Sequence, residues 1–276
     1  AKAEKCIRAE KQIALCISEP WAGSDVANVR TTAVRDGDAY VLNGEKKWIT
    51  NGVNADYFTV ICRTGKEGSG SRGISLLFVE RGPGVSTERM KLQGNWTAGT
   101  AFVKFEDVRV PVENLIGEEN EGFKLVMLNF NHERFVIAAQ GTRASRILLE
   151  DCVNYARKRK TFGKYLIEHQ VIKHKIGEMA MRIEATQALL ESVAYQMKTG
   201  ASSEKVGQFT ALLKVQMSRT YKFCATEAAQ IFGGSSYVRG GQGARVERAM
   251  REVVSAAVPG GSEEIMLELA TKLAKL

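Results

Sequence analysis

Short runs in which hydrophobic and polar residues alternate fill the first part of the chain. Their β-branched and aromatic residues predict strands over 31–35, 39–42, 47–50, 57–63, 74–80, 100–105 and 108–111. Asp36-Gly37 and Asn43-Gly44 predict tight turns, because both positions of such a turn must tolerate positive φ. Several short strands with frequent turn signals predict a small β-sandwich or barrel over residues 13–115.

Beyond about residue 118 the hydrophobic period becomes that of a helix. One stripe consists of Ile172, Ile176, Met179, Ile183, Leu190, Val193 and Met197, with Thr186 filling its gap. A second stripe, Val206, Phe209, Leu213 and Met217, follows Ser202-Ser203, which can cap a helix start. A long helix from about 122 to 159 is predicted before these two, and another helix ends the chain.

Strands first and helices afterwards predict an α+β protein, with a β-sandwich or barrel domain followed by an antiparallel helical bundle. The predicted division is a leader or remnant of a preceding region at 1–12, a β-domain at 13–115 and a four-helix-bundle domain at 116–276.

Composition narrows the classes of function. The chain has 276 residues, of which 44% are hydrophobic and 25% charged, and it contains no run of 18 apolar residues that would predict a membrane span. Its net charge of +8 is dispersed, which favours solvated helix faces or attraction of an anionic ligand over nucleic-acid binding. Five scattered cysteines and three histidines predict neither structural disulfides nor a metal site, and favour a reducing compartment. The charged start lacks a signal-peptide core, so secretion is not expected.

Three glycine-rich segments need separate interpretations. The segment 68–73 matches G-x-G-x-x-G, but a strand follows it, which favours a hairpin loop over a dinucleotide site. Gly233-Gly234 is expected to end a helix. Gly260-Gly261-Ser262 precedes the last helix, with Ser262 as N-cap; alternatively, its bare N–H groups face a ligand oxygen.

Several motifs along the chain resemble those of the acyl-CoA dehydrogenases. They are Ser18-Glu-Pro-Trp-Ala-Gly-Ser-Asp25, Trp48-Ile-Thr-Asn51, Phe105-Glu-Asp-Val-Arg-Val-Pro111, Arg159-Lys-Thr-Phe-Gly163, Gln170 and Gln230-Ile-Phe-Gly-Gly234. Their order and spacing match the family over nearly the whole chain. Family members begin with a helical domain that has no counterpart here, so the sequence is expected to be a fragment or a truncated form.

The resemblance implies an FAD site. Residues of the opening motifs would form one wall of it: Leu15, Ile17, Ser18, Ser24, Trp48, Ile49 and Thr50. Further cofactor contacts, including those to the FAD of a neighbouring subunit, are implied for Arg159, Thr161, Phe162, Gln170, Gln230, Gly233, Gly234, Ser262 and Glu264. A guanidinium group such as that of Arg159 suits a diphosphate. A site shared between subunits implies a homodimer or homotetramer. Glu19 and Asp25 are expected to brace the turn that presents Ser18 and Ser24.

The proton acceptor is a separate question. Many family members place a catalytic Glu where this chain has Gly260, which cannot accept a proton. The branch that includes the isovaleryl and long-chain enzymes instead carries Glu followed by Arg on the long helix, and this chain has Glu133-Arg134 there. We therefore expect Glu133 to be the base, with Glu263 and Glu264 as alternatives. The resemblance implies substrate contacts at Ser24, Asn131, Arg134, Gly260 and Gly261.

The implied reaction is α,β-dehydrogenation of an acyl-CoA thioester in fatty acid or amino acid catabolism, within lipid metabolism. A Glu removes the α-proton, hydride passes to FAD N5, and electron-transfer flavoprotein accepts the electrons. Two alternatives remain open, an acyl-CoA oxidase and a truncated, non-catalytic interaction module. The expected location is the mitochondrial matrix in a eukaryote or the cytoplasm in a bacterium. The motifs leave the length and branching of the acyl chain open.

Overall fold

The computed structural model describes residues 2–66 and 68–276, so Ala1 of the predicted segment 1–12 lies outside the described residues. The chain divides into two compact units, one extending to Leu128 and the other from Asn129 to Leu276.

The first unit is built on one mixed β-sheet. A short helix, α1 (Lys2–Ile7), precedes the strands, which are β1 (Ile13–Cys16), β2 (Thr32–Asp36), β3 (Ala39–Ile49), β4 (Tyr57–Arg63), β5 (Ile74–Glu80), β6 (Val85–Arg89), β7 (Ala101–Pro111) and β8 (Leu115–Ile116). The sheet order is β6-β7-β3-β2-β4-β5-β8, and β1 pairs in parallel with β4. Alternate side chains of these strands form the unit's core around Tyr40, Leu42, Phe58 and Phe105.

The predicted turn at Asn43-Gly44 is wrong. Strand β3 runs through it, and the pairing with β7 shifts register between Leu42 and Gly44. Gly44 has φ +148°, and a Cβ there would lie 2.5 Å from Thr31 Oγ1. The glycine therefore permits a bulge and a close approach of chains inside one strand.

Other strand predictions differ in extent. Strands β4 and β5 have the predicted bounds, and the segment 68–73 is a loop that ends in a 3-10 turn before β5. The runs predicted at 100–105 and 108–111 form the single strand β7. The pattern missed β6, whose residues are largely exposed, and the two-residue strand β8.

Helices dominate the rest of the chain. They are α2 (Gly122–Lys158), α3 (Gln170–Lys198), α4 (Ser203–Phe232), α5 (Ala244–Ala257) and α6 (Glu263–Leu273), with a small hairpin, β9 (Lys160–Thr161) and β10 (Lys164–Tyr165), between α2 and α3. Ser202 caps α4 by accepting from Lys205 N at 3.3 Å, as predicted. Gly233, at φ +56°, ends that helix.

Four of these helices share one core. Residues of α2, α3, α4 and α5 meet in it, among them Leu148, Met179, Ile183, Met217 and Cys224. Helix α6 packs on α4 through Met266 and Ala270. A sheet followed by a helical bundle confirms the predicted α+β class. Within residues 2–66 and 68–276, none of the helices has the length and apolarity needed to cross a membrane.

Candidate functional site

Trp48 stands at an irregular point of strand β3. The pairing with β7 shifts register between Lys46 and Ile49, and Trp48 has φ +61°, a conformation that bulky residues rarely adopt. A bulge of this kind redirects a side chain, and the indole is 48% exposed although its neighbour Ile49 is buried in the core. Lys47 Nζ lies 4.8 Å from the centre of the indole ring. The strand therefore presents a large aromatic surface, followed by the exposed Thr50.

The segment after β1 lies against this part of β3. Ser18 O accepts a hydrogen bond from Lys47 N at 2.8 Å, which ties the end of β1 to the residue before Trp48. Leu15 and Ser18 are partly buried and Ser24 is exposed. The side chain of Ile17 is buried, as is that of Ile49, so these two predicted cofactor residues can contact a ligand only through their backbone.

Glu19 is the acceptor that organises the turn beyond Ser18. It is fully buried, and its two carboxylate oxygens accept from Trp21 Nε1 at 2.7 Å, Arg30 N at 2.6 Å and Thr31 N at 3.0 Å. Glu19 and Ala22 also exchange backbone hydrogen bonds. The bracing role predicted for Glu19 is thus confirmed by its bonds to both ends of the 19–31 segment.

Lys46 completes the charge balance around Glu19. This lysine is also fully buried, and its Nζ donates to Glu19 Oε1 at 2.8 Å and to Ile17 O at 3.1 Å. Burial opposes ionisation of Glu19, but the charge of Lys46 and the N–H donors outweigh it, so the pKa of Glu19 lies below its usual value. The segment 18–25 and strand β3, which carries Trp48, are therefore joined by a buried ion pair.

In the second unit, Glu133 lies on α2. It is partly buried, and its Oε1 accepts from Asn129 Nδ2 at 2.7 Å. Burial raises the pKa of Glu133 above its usual value, and this effect exceeds the opposing effects of Asn129 and Arg134. Within the part of the unit that the structure describes, Glu133 has no ion-pair partner. It is a carboxylate whose environment favours taking up a proton.

Two buried cations hold the 257–261 loop, which runs from the last residue of α5 to the residue before Ser262. Arg134 Nε donates to Gly260 O at 2.8 Å, and Lys214 Nζ donates to Ala257 O and, at 2.8 Å, to Gly261 O. Burial without a carboxylate partner lowers the pKa of Lys214 to about 8. Asn131 Oδ1 lies 3.4 Å from Arg134 Nη1. Three of the predicted substrate residues, Asn131, Arg134 and Gly260, are thus brought together.

The two alternative bases have other partners. Glu263 Oε2 accepts from Arg219 Nε at 2.9 Å. Glu264 is exposed, and hydrogen bonds from its own backbone N–H and from Ser262 lower its pKa. Ser262 occupies the N-cap position of α6, as predicted, but makes no capping bond to the helix backbone.

The remaining predicted cofactor residues gather at one end of the bundle. The rings of Tyr155 and Phe232 stack with their centres 4.2 Å apart, which joins the end of α2 to the end of α4. Arg159 follows the first ring, Gln230 precedes the second, and Gly233-Gly234 follows it; all four residues are exposed.

The β9–β10 hairpin belongs to the same region. Thr161 Oγ1 and His169 Nε2 are 3.1 Å apart, so Thr161 lies close to the start of α3, where Gln170 is exposed. Phe162, at φ +49°, is 96% exposed. An exposed guanidinium, glycines and amides beside an exposed ring form a donor set that suits a nucleotide diphosphate.

The chemical groups of the first unit's exposed surface are of the kind that bind a flavin. The redirected, half-exposed Trp48 offers a flat apolar surface, and the backbone and hydroxyl groups of Ser18, Ser24 and Thr50 supply donors. Sequence reasoning missed Lys46 and Lys214. A signal existed for Lys214, because Thr210, Lys214 and Ser218 form a polar row inside an apolar helix face.

Comparison with known proteins identifies the family to which the chain is similar. Residues 14–108 match the model of the acyl-CoA dehydrogenase middle domain, and residues 120–274 match that of the C-terminal domain. An acyl-CoA dehydrogenase of Emericella nidulans is 41% identical over 270 residues, which cover 95% of this chain and 61% of that protein. Another, from Alternaria alternata, is 43% identical over 96% of this chain and 62% of its own length.

Solved structures of the same family also resemble this chain. Butyryl-CoA dehydrogenase from Megasphaera elsdenii superposes with a TM-score of 0.92 at 33% identity, over 99% of this chain and 70% of that one. The chain spans about three fifths of the length of the two curated relatives. The predictions of the enzyme family, of its fold and of FAD as its cofactor are confirmed. The chain belongs to the acyl-CoA dehydrogenase family.

Proposed function

We propose that this chain supplies the flavin-binding and proton-abstracting residues of an enzyme that converts an acyl-CoA thioester to the 2-enoyl-CoA, with Glu133 as the base. The matches to both family domains and to a butyryl-CoA dehydrogenase support the reaction class. This chain has Gly260 at the position where many family members carry the catalytic Glu, so another residue has to act as the base.

The main support for Glu133 as the base is the environment of its carboxylate. Glu133 is partly buried with a raised pKa and has a single amide donor. By contrast, Glu263 is paired with Arg219, and the pKa of Glu264 is lowered by donors at the start of its helix. A general base needs a free lone pair and a pKa nearer the working pH, which favours Glu133.

The 257–261 loop has a different role in this proposal. Gly260 has φ +74°, and an added Cβ would lie 3.2 Å from Ile137 Cδ1 and 3.4 Å from Arg134 Cγ. A side chain there would be strained, and a glutamate would need that strained backbone. Because Arg134 and Lys214 bind carbonyl oxygens of the loop, its N–H groups are held in fixed directions. We assign the Gly260 N–H to the thioester oxygen, where it would stabilise negative charge as the α-proton leaves.

FAD, when bound, accepts the hydride equivalent from the β-carbon. The exposed Trp48 surface and the Ser18 and Ser24 segment would hold its isoalloxazine, and the bundle end with Arg159 and Gln230 would hold the pyrophosphate and adenosine of the FAD of a neighbouring subunit. Acyl-CoA as substrate, electron-transfer flavoprotein as electron acceptor and a homo-oligomeric assembly belong to the same proposal.

Anaerobic titration of the FAD-loaded protein with a panel of straight and branched acyl-CoA esters tests the function. We expect the flavin absorbance to bleach with a subset of esters and electron-transfer flavoprotein to reoxidise it. Stoichiometric peroxide formation in air, without a requirement for that acceptor, would instead indicate an oxidase. A protein that takes up FAD but bleaches with no ester would contradict the proposal.

A further inference from the structure

The buried pair Lys46–Glu19 joins the two motifs that form the proposed flavin wall. Glu19 comes from the segment 18–25 and Lys46 from β3, two residues before Trp48. Both side chains are fully buried, so neither can touch a ligand. Their effect on the wall must pass through the groups that they bind.

One of those groups is a backbone carbonyl at the end of β1. Lys46 Nζ donates to Ile17 O at 3.1 Å, and Lys47 N donates to Ser18 O at 2.8 Å. The peptide between Ile17 and Ser18 is trans, so its N–H, which belongs to Ser18, points away from the carbonyl that Lys46 binds. The orientation of this peptide is therefore fixed from its buried side.

The bond to Lys46 also changes the strength of that N–H as a donor. A hydrogen bond from an ammonium group is stronger than one between neutral groups, and bonds that share a peptide polarise one another. Withdrawing electron density at Ile17 O makes the Ser18 N–H a better donor. Glu19 keeps Lys46 in place and balances its charge without contacting that carbonyl.

We propose that Lys46 and Glu19 are positioning residues that orient the Ile17–Ser18 peptide and strengthen its N–H as a donor to the isoalloxazine of bound FAD. The inference rests on the proposed function, because it requires that this wall binds the flavin. A flavin gains negative charge when it is reduced, so a stronger donor favours the reduced form. The pair therefore raises the midpoint potential of the bound flavin and tightens FAD binding.

The test compares variants of the FAD-loaded protein. Glu19→Gln together with Lys46→Met removes both charges while keeping side-chain volume, which a fold tolerates better than removal of one partner. We expect this double variant to have a lower flavin midpoint potential and an FAD dissociation constant about tenfold higher. Arg109→Met, which removes an exposed ion pair with Asp36, is the control and should change neither quantity.

A second variant separates this role from a general destabilisation of the first unit, called loosening below. Glu19→Gln alone keeps the Lys46 bond to Ile17 O and removes the balancing negative charge. Without its carboxylate the buried Lys46 loses its proton more readily. We therefore expect the midpoint potential, relative to that of the wild type, to fall as the pH rises and Lys46 deprotonates, whereas loosening would lower it by the same amount at every pH. Thermal unfolding measured alongside shows how far each variant is destabilised.

The outcomes separate the two proposals. If the wild type binds FAD, and the double variant keeps its potential and affinity, the inference is wrong and the proposed function stands. A potential in Glu19→Gln alone that lies below that of the wild type by the same amount at every pH would also overturn the inference. A wild type that binds no FAD would overturn both.

Discussion

Two buried lysines stabilise the two candidate regions of this chain, and they are neutralised in different ways. Lys46, in the flavin wall, faces the carboxylate of Glu19 and one carbonyl oxygen. Lys214, behind the 257–261 loop, faces two carbonyl oxygens, and burial lowers its pKa to about 8. Burial lowers the pKa of both ammonium groups, but only Lys46 has a full opposite charge within hydrogen-bond distance, on Glu19, that counters this effect.

The largest loss of stability is expected when the Glu19 charge is removed from the Lys46–Glu19 pair. Glu19→Ala leaves Lys46 buried without its carboxylate and takes the acceptor from Trp21 Nε1 and Thr31 N. We expect a loss of about 4 kcal/mol in the free energy of unfolding, measured by urea denaturation. Asp36→Ala, at an exposed ion pair, is the control and should cost no more than about 1 kcal/mol. Equal losses would remove the distinction between buried and exposed pairs.

Lys214 should make stability depend on pH in an unusual direction. Its folded pKa of about 8 lies below its ordinary value of 10.5, so between these values the unfolded chain binds more protons than the folded one. Stability therefore rises with pH across that window, by about 2 kcal/mol between pH 7 and 9.5. We expect Lys214→Met to remove this rise in urea denaturation at the two pH values.

The exposed Lys104, paired with Glu106, provides the control for that measurement. Lys104→Met should retain the rise. If the rise survives in Lys214→Met as well, then Lys214 is not the group that causes it.

The smallest effect concerns the loop that Lys214 supports. Gly260 and Gly200 have nearly the same φ, +74° and +73°, but only at Gly260 would a Cβ meet neighbouring atoms. Gly200→Ala should cost about 1 kcal/mol from backbone strain alone, and Gly260→Ala about 2 kcal/mol because close packing is added. Thermal unfolding of the two variants measures the difference. Identical losses would show that the loop has room for a side chain at Gly260, contrary to the proposed role.

Local patterns predicted much of the fold. The helical stripe around Met179 and Ile183 and the strands β4 and β5 follow directly from periodicity. The Asn43-Gly44 turn was wrong because its signal is local, whereas the bulge depends on the approach of Thr31, the residue before β2. Strand β6 was missed because Val85 is its only apolar residue, so its sequence shows no alternation of apolar and polar positions.

The candidate site, like the fold, could be predicted only where its residues lie in contiguous segments of the sequence. Motifs identified Trp48, Ser18 and Glu133 as candidates, since these lie in contiguous and recognisable segments. Lys46 was not found because a buried lysine cannot be told from a surface lysine by its sequence. Lys214 had one signal, its place in the polar row with Thr210 and Ser218, but that row does not identify its partners. Their partners at Ile17, Glu19 and Ala257 are 29, 27 and 43 residues away along the chain. Such pairings are set by tertiary structure, which periodicity and spacing do not encode.

The central claim is that Glu133 takes the α-proton, and anaerobic stopped-flow bleaching of Glu133→Gln tests it most directly. The matched controls are Glu263→Gln and Glu264→Gln, with FAD content measured in each variant. We predict that Glu133→Gln retains FAD and loses at least about 1,000-fold in the bleaching rate, while both controls stay within a few-fold of the wild type. Normal bleaching in Glu133→Gln, with loss of bleaching in either control, would contradict the assignment.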